Sequence, residues 1–508
     1  MSGDAEADRV ALAEQLSMIR EELLEVSNGW QPWAVGGDSD QDASARNLLQ
    51  YLALRGHDLR DLQDPLVALG LSSLGGTEGH VQASVDAVLA ALRSLGHEPR
   101  SPASSPPPIG FAHSRELLVA RTEALLGPVP QGRPTRMMVT MPTEAATDPG
   151  LVRGMLARGM DCMRINCAHD AAPQWHAMRQ NLLLAERHVR RSARVIVDLP
   201  GPKLRTGRIA SKHDGDSKGD YVRLGIGDRL LLTPDGAPAV RDREQPPQIA
   251  QVGCSLQEAF AVTRPGHHIW LDDGKLGGVV ESVDHDRIEL RITAAGANGS
   301  KLRPEKGINL PDGMLDIDLL GGHSQQALRF ALEAADIVGL SFVSSARDVK
   351  RVDDYLDRHG RTDLGVVLKI ETRRAFDHLP GLLLAALGTG RPAGVMIARG
   401  DLAVECGYER LAEVQEEILW LCQAAHLPVI WATEVLDRLA KKGRPSRAEI
   451  TDAAMGERAE CVMLNKGPRI VQAITVLDHI LRRMERHQRK KRSLLTRLRA
   501  SDYVRSDR

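Results

Sequence analysis

Two hydrophobic periodicities divide this chain. Up to about residue 95, apolar positions recur at helical spacing, first as Leu12, Leu16, Ile19, Leu23 and Leu24 and later as Val85, Val88, Leu89, Leu92 and Leu95, which predicts a small helical region. The segment HEPRSPASSPPPIG at 97–110 is too rich in Pro and Ser to sustain a hydrogen-bonded ladder or bury much surface, and reads as a linker. From 135 onward, short apolar runs alternate with helical stretches, the mark of repeated βα units around a parallel sheet. Eight runs read as strands: TRMMVTM at 135, DCMRIN at 161, RVIVDLP at 194, DIVGLSFV at 336, GVVLKIE at 365, GVMIARGD at 394, PVIWATE at 428 and CVMLNKG at 461. Eight is the number that closes a (β/α)8 TIM barrel, so the fold class is α/β.

The third and fourth runs are separated by a long insertion in which YVRLGIGDRLLL, HHIWLDDG, LGGVVESV and RIELRITA read as short strands with Gly, Asp and Pro turns. It is expected to form a small β-barrel domain on a βα loop at the catalytic end of the barrel, placed to act as a lid. The expected organisation is a helical N-terminal region at 1–96, a linker and connecting helix at 97–130, the catalytic barrel at 131–208 and 306–485, the lid at 209–305, and a basic tail at 486–508 read as a helix end running into disorder.

The composition narrows the class without choosing a reaction. With 508 residues, 42% hydrophobic and 26% charged, the chain has material for a large core, and a formal net charge of −1 gives no field for general nucleic-acid or membrane-surface binding. Six cysteines, at 162, 167, 254, 406, 422 and 461, show no metal-ligand spacing and read as reduced core thiols. The acidic start MSGDAEADRVALAEQL lacks the layout of a secretory signal, and no apolar segment is long enough to span a bilayer, so a cytoplasmic protein is expected.

Chemistry concentrates where the strands end. VVLKIET at 366–372 and GVMIARGDLA at 394–403 finish apolar runs in Lys369 with Glu371 and in Arg399 with Asp401. Two carboxylates on neighbouring strands can hold a hard divalent cation, and a lysine beside them can face a phosphate or an enolate. Strand periodicity puts Lys369 and Glu371 on one face. The alternative reading of each carboxylate alone, a helix N-cap, loses ground when both occur together. MRINCAHD at 163–170 adds Arg164, Asn166 and His169; an arginine there is a poor core residue and a good bidentate anion holder.

Weaker signals surround these. VDLPGPKLRTG at 197–207 carries Asp198, a bend through Pro200, Gly201 and Pro202, then Lys203 and Arg205; the bend by itself is only a turn. Thr433 in WATE could be a hydroxyl donor or simply a β-branched strand residue. Ser446 and Glu449 are spaced as a capping box, a structural feature. The basic tail lacks interleaved aromatics apart from Tyr503 and reads as a solvated end, not a nucleic-acid arm.

Taken in order, these segments resemble the pyruvate kinase family. MRINCAHD is similar to its ARLNFSHG, VDLPGPKLRTG to LDTKGPEIRTG, IWLDDG and KGINLPDG to the start and exit of its lid domain, VVLKIET to IKIEN, GVMIARGDLAVE to IMVARGDLGVE, and VIWATEVL with GRPSRAE to ICATQMLESM and RPTRAE. The resemblance covers about 135–485. It implies Mg2+ (or Mn2+) on Glu371 and Asp401, Lys369 stabilising the enolate and the transferring phosphoryl group, and Arg164 binding phosphate. It also implies Thr433 beside the product methylene carbon, the amides of Gly400 and Asp401 on the carboxylate of phosphoenolpyruvate, and His169, Arg205 and Lys306 facing ADP or ATP.

The departures from the family carry expectations too. Its monovalent-cation ligands persist only as Asn166 and Asp198, the other two positions being Ala168 and Leu199, while the glutamate of its GPE is Lys203, whose ammonium can take the cation's place. No need for K+ is therefore expected. The loop TMPTEA at 140–145 and the turn Asn465, Lys466, Gly467 differ from TIGPAS and SGETA, so substrate choice could have moved. No counterpart of the family's C-terminal effector domain is seen, a homo-oligomer is possible, and residues 1–110 have no match. Two other readings remain: a metal-dependent enolate-type lyase, or a phosphotransferase with another acceptor, and a catalytically silent regulatory protein that binds phosphoenolpyruvate.

Overall fold

The computed structural model describes residues 3–31, 39–97, 105–201, 203–210, 221–234, 249–255, 258–313, 318–490 and 492–493. All eight apolar runs form parallel strands: β1 (Arg136–Thr140), β2 (Cys162–Asn166), β3 (Arg194–Asp198), β4 (Ile337–Leu340), β5 (Gly365–Ile370), β6 (Ala393–Ala398), β7 (Val429–Ala432) and β8 (Cys461–Leu464). They close in sequential order, with β8 paired to β1 in the register Arg136 to Cys461. Each strand is buried on both faces because helices cover the outside and side chains fill the inside, which is why the runs are continuously apolar rather than alternating.

Strand alternation builds the interior in layers. Met138, Cys162, Ile196, Val367, Met396 and Cys461 form one apolar core inside the barrel. Two residues further along the same strand faces come Thr140, Arg164, Asp198 and Lys369, bonded to one another at the carboxyl end. One inward face is thus apolar at the floor and charged at the mouth.

The N-terminal region consists of α1 (Gly3–Asn28), α2 (Asp40–Arg55), α3 (Arg60–Ala68) and α4 (Val81–Leu95), followed by the connecting helix α5 (Phe111–Leu126). α1 and α2 bury Leu12, Leu16, Leu23, Leu48 and Leu54 in a core continuous with that of the barrel's outer helices, and α2 packs on helices Leu379–Gly388 and Leu411–Ala424. Asn47 on α2 donates to Ala424 O at 2.8 Å and to Glu78 O at 2.7 Å. His426 is buried between the two parts, its Nε2 2.8 Å from Gly79 O and its Nδ1 3.1 Å from Ser44 Oγ. That pattern fixes the neutral Nε2–H tautomer, and burial pushes the imidazole down to about 3.

α5 seals the floor. Leu125 and Leu126 join the interior barrel cluster, and a Cβ at Gly365 or Gly394 would sit 2.6 Å from a Leu125 methyl. These two glycines at the starts of β5 and β6 are notches for that leucine, whose burial contributes roughly 1.5–3 kcal/mol.

The insertion forms a seven-stranded sheet running from Thr206–Ala210 at one end to Ile308–Asn309 at the other, plus a ribbon of Val222–Leu224 and Ser300–Leu302. A bridge between Arg205 and Gly307 and the bond from Ile308 N to Leu204 O join the end strands and roll the sheet into a small barrel. Its own core includes Leu230, Val252, Ile269, Leu276 and Leu290. The seam with the TIM barrel lies slightly outside 209–305, since Thr206 and Asn309 both belong to the lid sheet. Pro202 of the hinge bend and the tail beyond Ser493 lie outside the described residues. All six cysteines are buried free thiols, Ser446 and Glu449 form the capping box, and among the described residues no helix is long and apolar enough to cross a membrane.

Candidate active site

The mouth is organised around Asp198, which is fully buried at the end of β3. Its Oδ2 accepts from Arg164 Nε at 2.9 Å and Nη2 at 2.5 Å, and lies 3.2 Å from Lys369 Nζ. Arg164 also donates to Thr140 Oγ1 at 2.9 Å. Lys369 Nζ continues the network to Glu371 Oε1 at 3.0 Å and Ser341 Oγ at 2.7 Å, while Glu371 Oε2 accepts from the Phe342 amide at 2.7 Å. A Cβ at position 339 would fall 2.2 Å from Asp198 Oδ1, so Gly339 on β4 is what lets this carboxylate lie inside the barrel.

Charge state follows from the competition between burial and neighbours. Burial raises the pKa of Asp198, but Arg164 and Lys369 together outweigh it and hold the carboxyl below its usual range. Burial opposes the charge of Lys369, yet Asp198 and Glu371 hold its ammonium above the ordinary lysine value. Glu371 moves the other way, raised by burial and by the charge of Asp401 against the pull of Lys369. A buried carboxylate destabilised by a second carboxylate is an arrangement that a divalent cation relieves.

Asp401 lies in the first turn of the helix Arg399–Cys406, where the amides of Gly400 and Asp401 have no intrahelical acceptor and can face an anion. Its Oδ1 accepts from Lys203 Nζ at 2.6 Å and from Asn309 Nδ2 at 3.3 Å. Among the described residues no group of three or more His, Cys, Asp and Glu is placed to hold a metal. The two carboxylates Glu371 and Asp401 nonetheless fit Mg2+, which commonly takes one or two protein carboxylates and completes its shell with water and phosphate oxygens.

Thr433 follows β7 with φ of 68°, and Glu434 and Leu436 are also left-handed, at 61° and 50°. The strained turn is held by Arg399, which donates to Ala432 O at 2.6 Å and Thr433 O at 2.5 Å, pairs with Asp452 and stacks 4.7 Å from the Trp431 ring centroid. Thr433 is thereby brought over Gly400, where an added Cβ would meet its methyl at 3.1 Å. It is a turn residue at the mouth and not a strand residue.

His169 is exposed beyond the end of β2. Partial burial and the positive charges of Lys466, Arg205 and Arg164 hold its imidazole below the normal range. Arg205 and Lys306 sit on the two connections between barrel and lid, Arg205 donating to Glu305 O at 3.0 Å and Lys306 Nζ lying 3.3 Å from Asp272 Oδ1. Asn166 is not drawn to Asp198, since its Oδ1 accepts from the Ala168 amide at 3.1 Å. Lys203 likewise reaches Asp401, and more distantly Asp273 at 3.7 Å.

Ser341, Thr140, Asn309, Glu405 and Asp452 escaped the sequence reading because isolated Ser, Thr, Asn and acidic residues carry no spacing signal. Lys466 was visible only as a departure from a motif. Size does not locate the chemistry either: a cavity of about 440 Å3, lined by residues including Phe111, Leu118, Arg136 and His426, lies at the opposite, floor end of the barrel.

The fold and mouth define a lidded (β/α)8 barrel with a buried cationic and carboxylate cluster set for a small anion. Its sequence relationships agree. The profile described as pyruvate kinase, barrel domain, matches residues 132–468. The chain is similar to a pyruvate kinase of Agrobacterium vitis, 29% identical over 68% of this chain and 67% of the relative. It is also similar to one of Thermococcus litoralis, 32% identical over 66% and 67%, and to one of Mycobacterium tuberculosis, 31% identical over 62% of each chain. The chain belongs to the pyruvate kinase family.

Proposed function

We propose that the chain catalyses Mg2+-dependent phosphoryl transfer from phosphoenolpyruvate to ADP, giving pyruvate and ATP, without a requirement for K+. The observation that carries this reading is the Lys369 ammonium, kept charged in a buried mouth between Asp198 and Glu371. Loss of the phosphoryl group leaves an enolate, and a fixed ammonium stabilises charge that develops on the departing oxygen and on the group in flight. Arg164, locked by two bonds to Asp198, presents a preoriented cation for phosphate.

The amides of Gly400 and Asp401 would take the substrate carboxylate, and Thr433, held over Gly400, would stand by the methylene carbon that receives a proton. Glu371 and Asp401 would hold Mg2+, which would supply positive charge to offset that of the phosphoryl group. Arg205 and Lys466, whose charges act on His169, would with Lys306 form the cationic side offered to the nucleotide, and His169 would face it as an imidazole biased toward its neutral form.

Independence from K+ is supported by where the remaining cation-site groups are spent. Asp198 Oδ2 is taken by Arg164 and Lys369 and Asn166 Oδ1 by a backbone amide, which leaves Asp198 Oδ1 as the one of these oxygens without a partner among the described residues, and Lys203 supplies an internal ammonium within the mouth. The test is pyruvate formation by purified protein from phosphoenolpyruvate and Mg2+, with ADP compared with GDP. Turnover that needs the nucleotide supports the kinase. Phosphoenolpyruvate binding with no turnover on either nucleotide overturns it.

A further inference from the structure

Both connections between lid and barrel end on one oxygen atom. Lys203, on the outgoing segment just before the strand Thr206–Ala210, reaches Asp401 Oδ1 at 2.6 Å, and Asn309, on the strand through which the lid returns, reaches the same atom at 3.3 Å. Asn309 is a lid residue by pairing, since it sits opposite Trp270 in the lid sheet. It is also deeply buried, at 3% exposure. Its amide nitrogen is shared between Asp401 and Glu405 Oε1, the latter at 3.1 Å.

Glu405 lies one turn beyond Asp401 on the same helix, so the two carboxylates clamp the asparagine from one helix face. The hinge beside them is not solidly packed: a cavity of about 80 Å3 is lined by Lys203, Asn309, Phe342, Arg374 and Glu405. A shift of the lid therefore has room to move Asn309, and the barrel groups it would disturb are Asp401 and Glu405.

Resting on the reading of Asp401 as a metal ligand, we infer that Asn309 is a positioning residue that couples the seat of the lid to divalent-cation affinity, with Glu405 as its anchor on the barrel. The warrant is general: partners that orient a ligating carboxylate typically change metal affinity by 10- to 100-fold when removed. A metal ion fixing Asp401 would in turn hold Asn309 and steady the lid, because coupling between two sites is reciprocal.

The test is Mn2+ titration, followed by the paramagnetic resonance signal of the free ion, on the full chain without substrate. It is paired with hydrogen exchange of lid strands 268–271 and 276–284 with and without Mn2+. Asn309→Leu is expected to weaken Mn2+ binding about 10-fold and to abolish the slowing of lid exchange by Mn2+. Glu405→Leu, which leaves the hinge strand intact, is expected to act in the same direction, and the double variant to cost less than the sum of the two. Ile308→Ala is the control, because it thins the packing of the same strand without removing a bond to Asp401.

Unchanged Mn2+ affinity in both leucine variants overturns the inference, and so does an equal loss in Ile308→Ala, which would reduce the effect to loosening. A wild-type chain that binds no Mn2+ overturns the metal reading beneath it, an outcome distinct from either of these.

Discussion

The two ends of the barrel differ in how completely buried polarity is satisfied: the floor pairs its groups off, whereas at the mouth Asp198 Oδ1 is left without a partner among the described residues. At the floor, polar groups are saturated: the buried pair Arg133–Asp161 is completed by Asp478, Gly159 O, Arg191 and the Met137 amide, Arg136 donates to Gly127 O and Pro134 O, Asn47 to two carbonyls, and His426 stays uncharged between Gly79 and Ser44. At the mouth, Arg164, Asp198, Lys369 and Glu371 keep opposite charges in contact out of water. Buried ion pairs are seldom more stable than apolar replacements of the same shape, because desolvation offsets their attraction. The floor is thus built for cohesion, whereas the charged mouth makes sense as preorganised chemistry.

The sharpest way to break that contrast is Lys369→Met. The contrast predicts that kcat falls by roughly 10^3-fold, the upper end for removing one charge-stabilising donor, while phosphoenolpyruvate still binds; steady-state kinetics with a separate binding titration would show it, and retained turnover would take Lys369 out of the reaction. Next in size is Glu371→Gln. A neutral amide is a poorer hard-cation ligand, so Mg2+ affinity should drop by more than about 10-fold, a loss typical of mere outer partners. Calorimetric titration that finds the affinity unchanged would mean the wrong ligand has been named.

The floor offers the third test. The folded pKa of His426, about 3, lies below its ordinary value of 6.5, so between these limits the unfolded chain binds the extra proton. The Arg121 guanidinium adds to burial in favouring the neutral form, with His80 and His113 the other titratable groups that act on the ring. The contribution is complete above pH 6.5 and is lost as pH falls, by at most about 1.4 kcal/mol per unit. His426→Gln should flatten that slope in denaturant melts at pH 7, 6 and 5 and leave kcat unaltered; a slope identical to wild type would show that His426 is not the group titrating. Smallest of all is the cation effect: rates in sodium, potassium and choline buffers should nearly coincide, and strong activation by K+ would contradict the role given to Lys203.

Much of this was legible in the chain because it depends on period and run length. Eight apolar runs became eight strands, and the two-residue spacing of Lys369 and Glu371 put their charges 3.0 Å apart. The convergence on Asp198 was not legible, since Arg164, Thr140 and Lys369 arrive from three strands whose relative stagger no local pattern encodes. Nor could spacing show that Lys203 would reach Asp401 and leave Asn166 to a local turn. The left-handed geometry of Thr433 was hidden for a different reason, because it is imposed by Arg399 and Asp452 from other segments against the preference of a β-branched residue.

The bond from Asn47 to Ala424 joins residues 377 apart, and this separation bears on how the protein is made. α1, α2 and α4 can pack on one another as soon as they emerge from the ribosome, but the face of α2 that meets the barrel, and the Leu125 wedge, have nothing to cover them until the later strands follow. At ordinary rates of synthesis that interval is roughly 20 to 75 s. For that time each nascent chain carries an apolar surface that a chaperone, or a neighbouring nascent chain on the same message, can reach first.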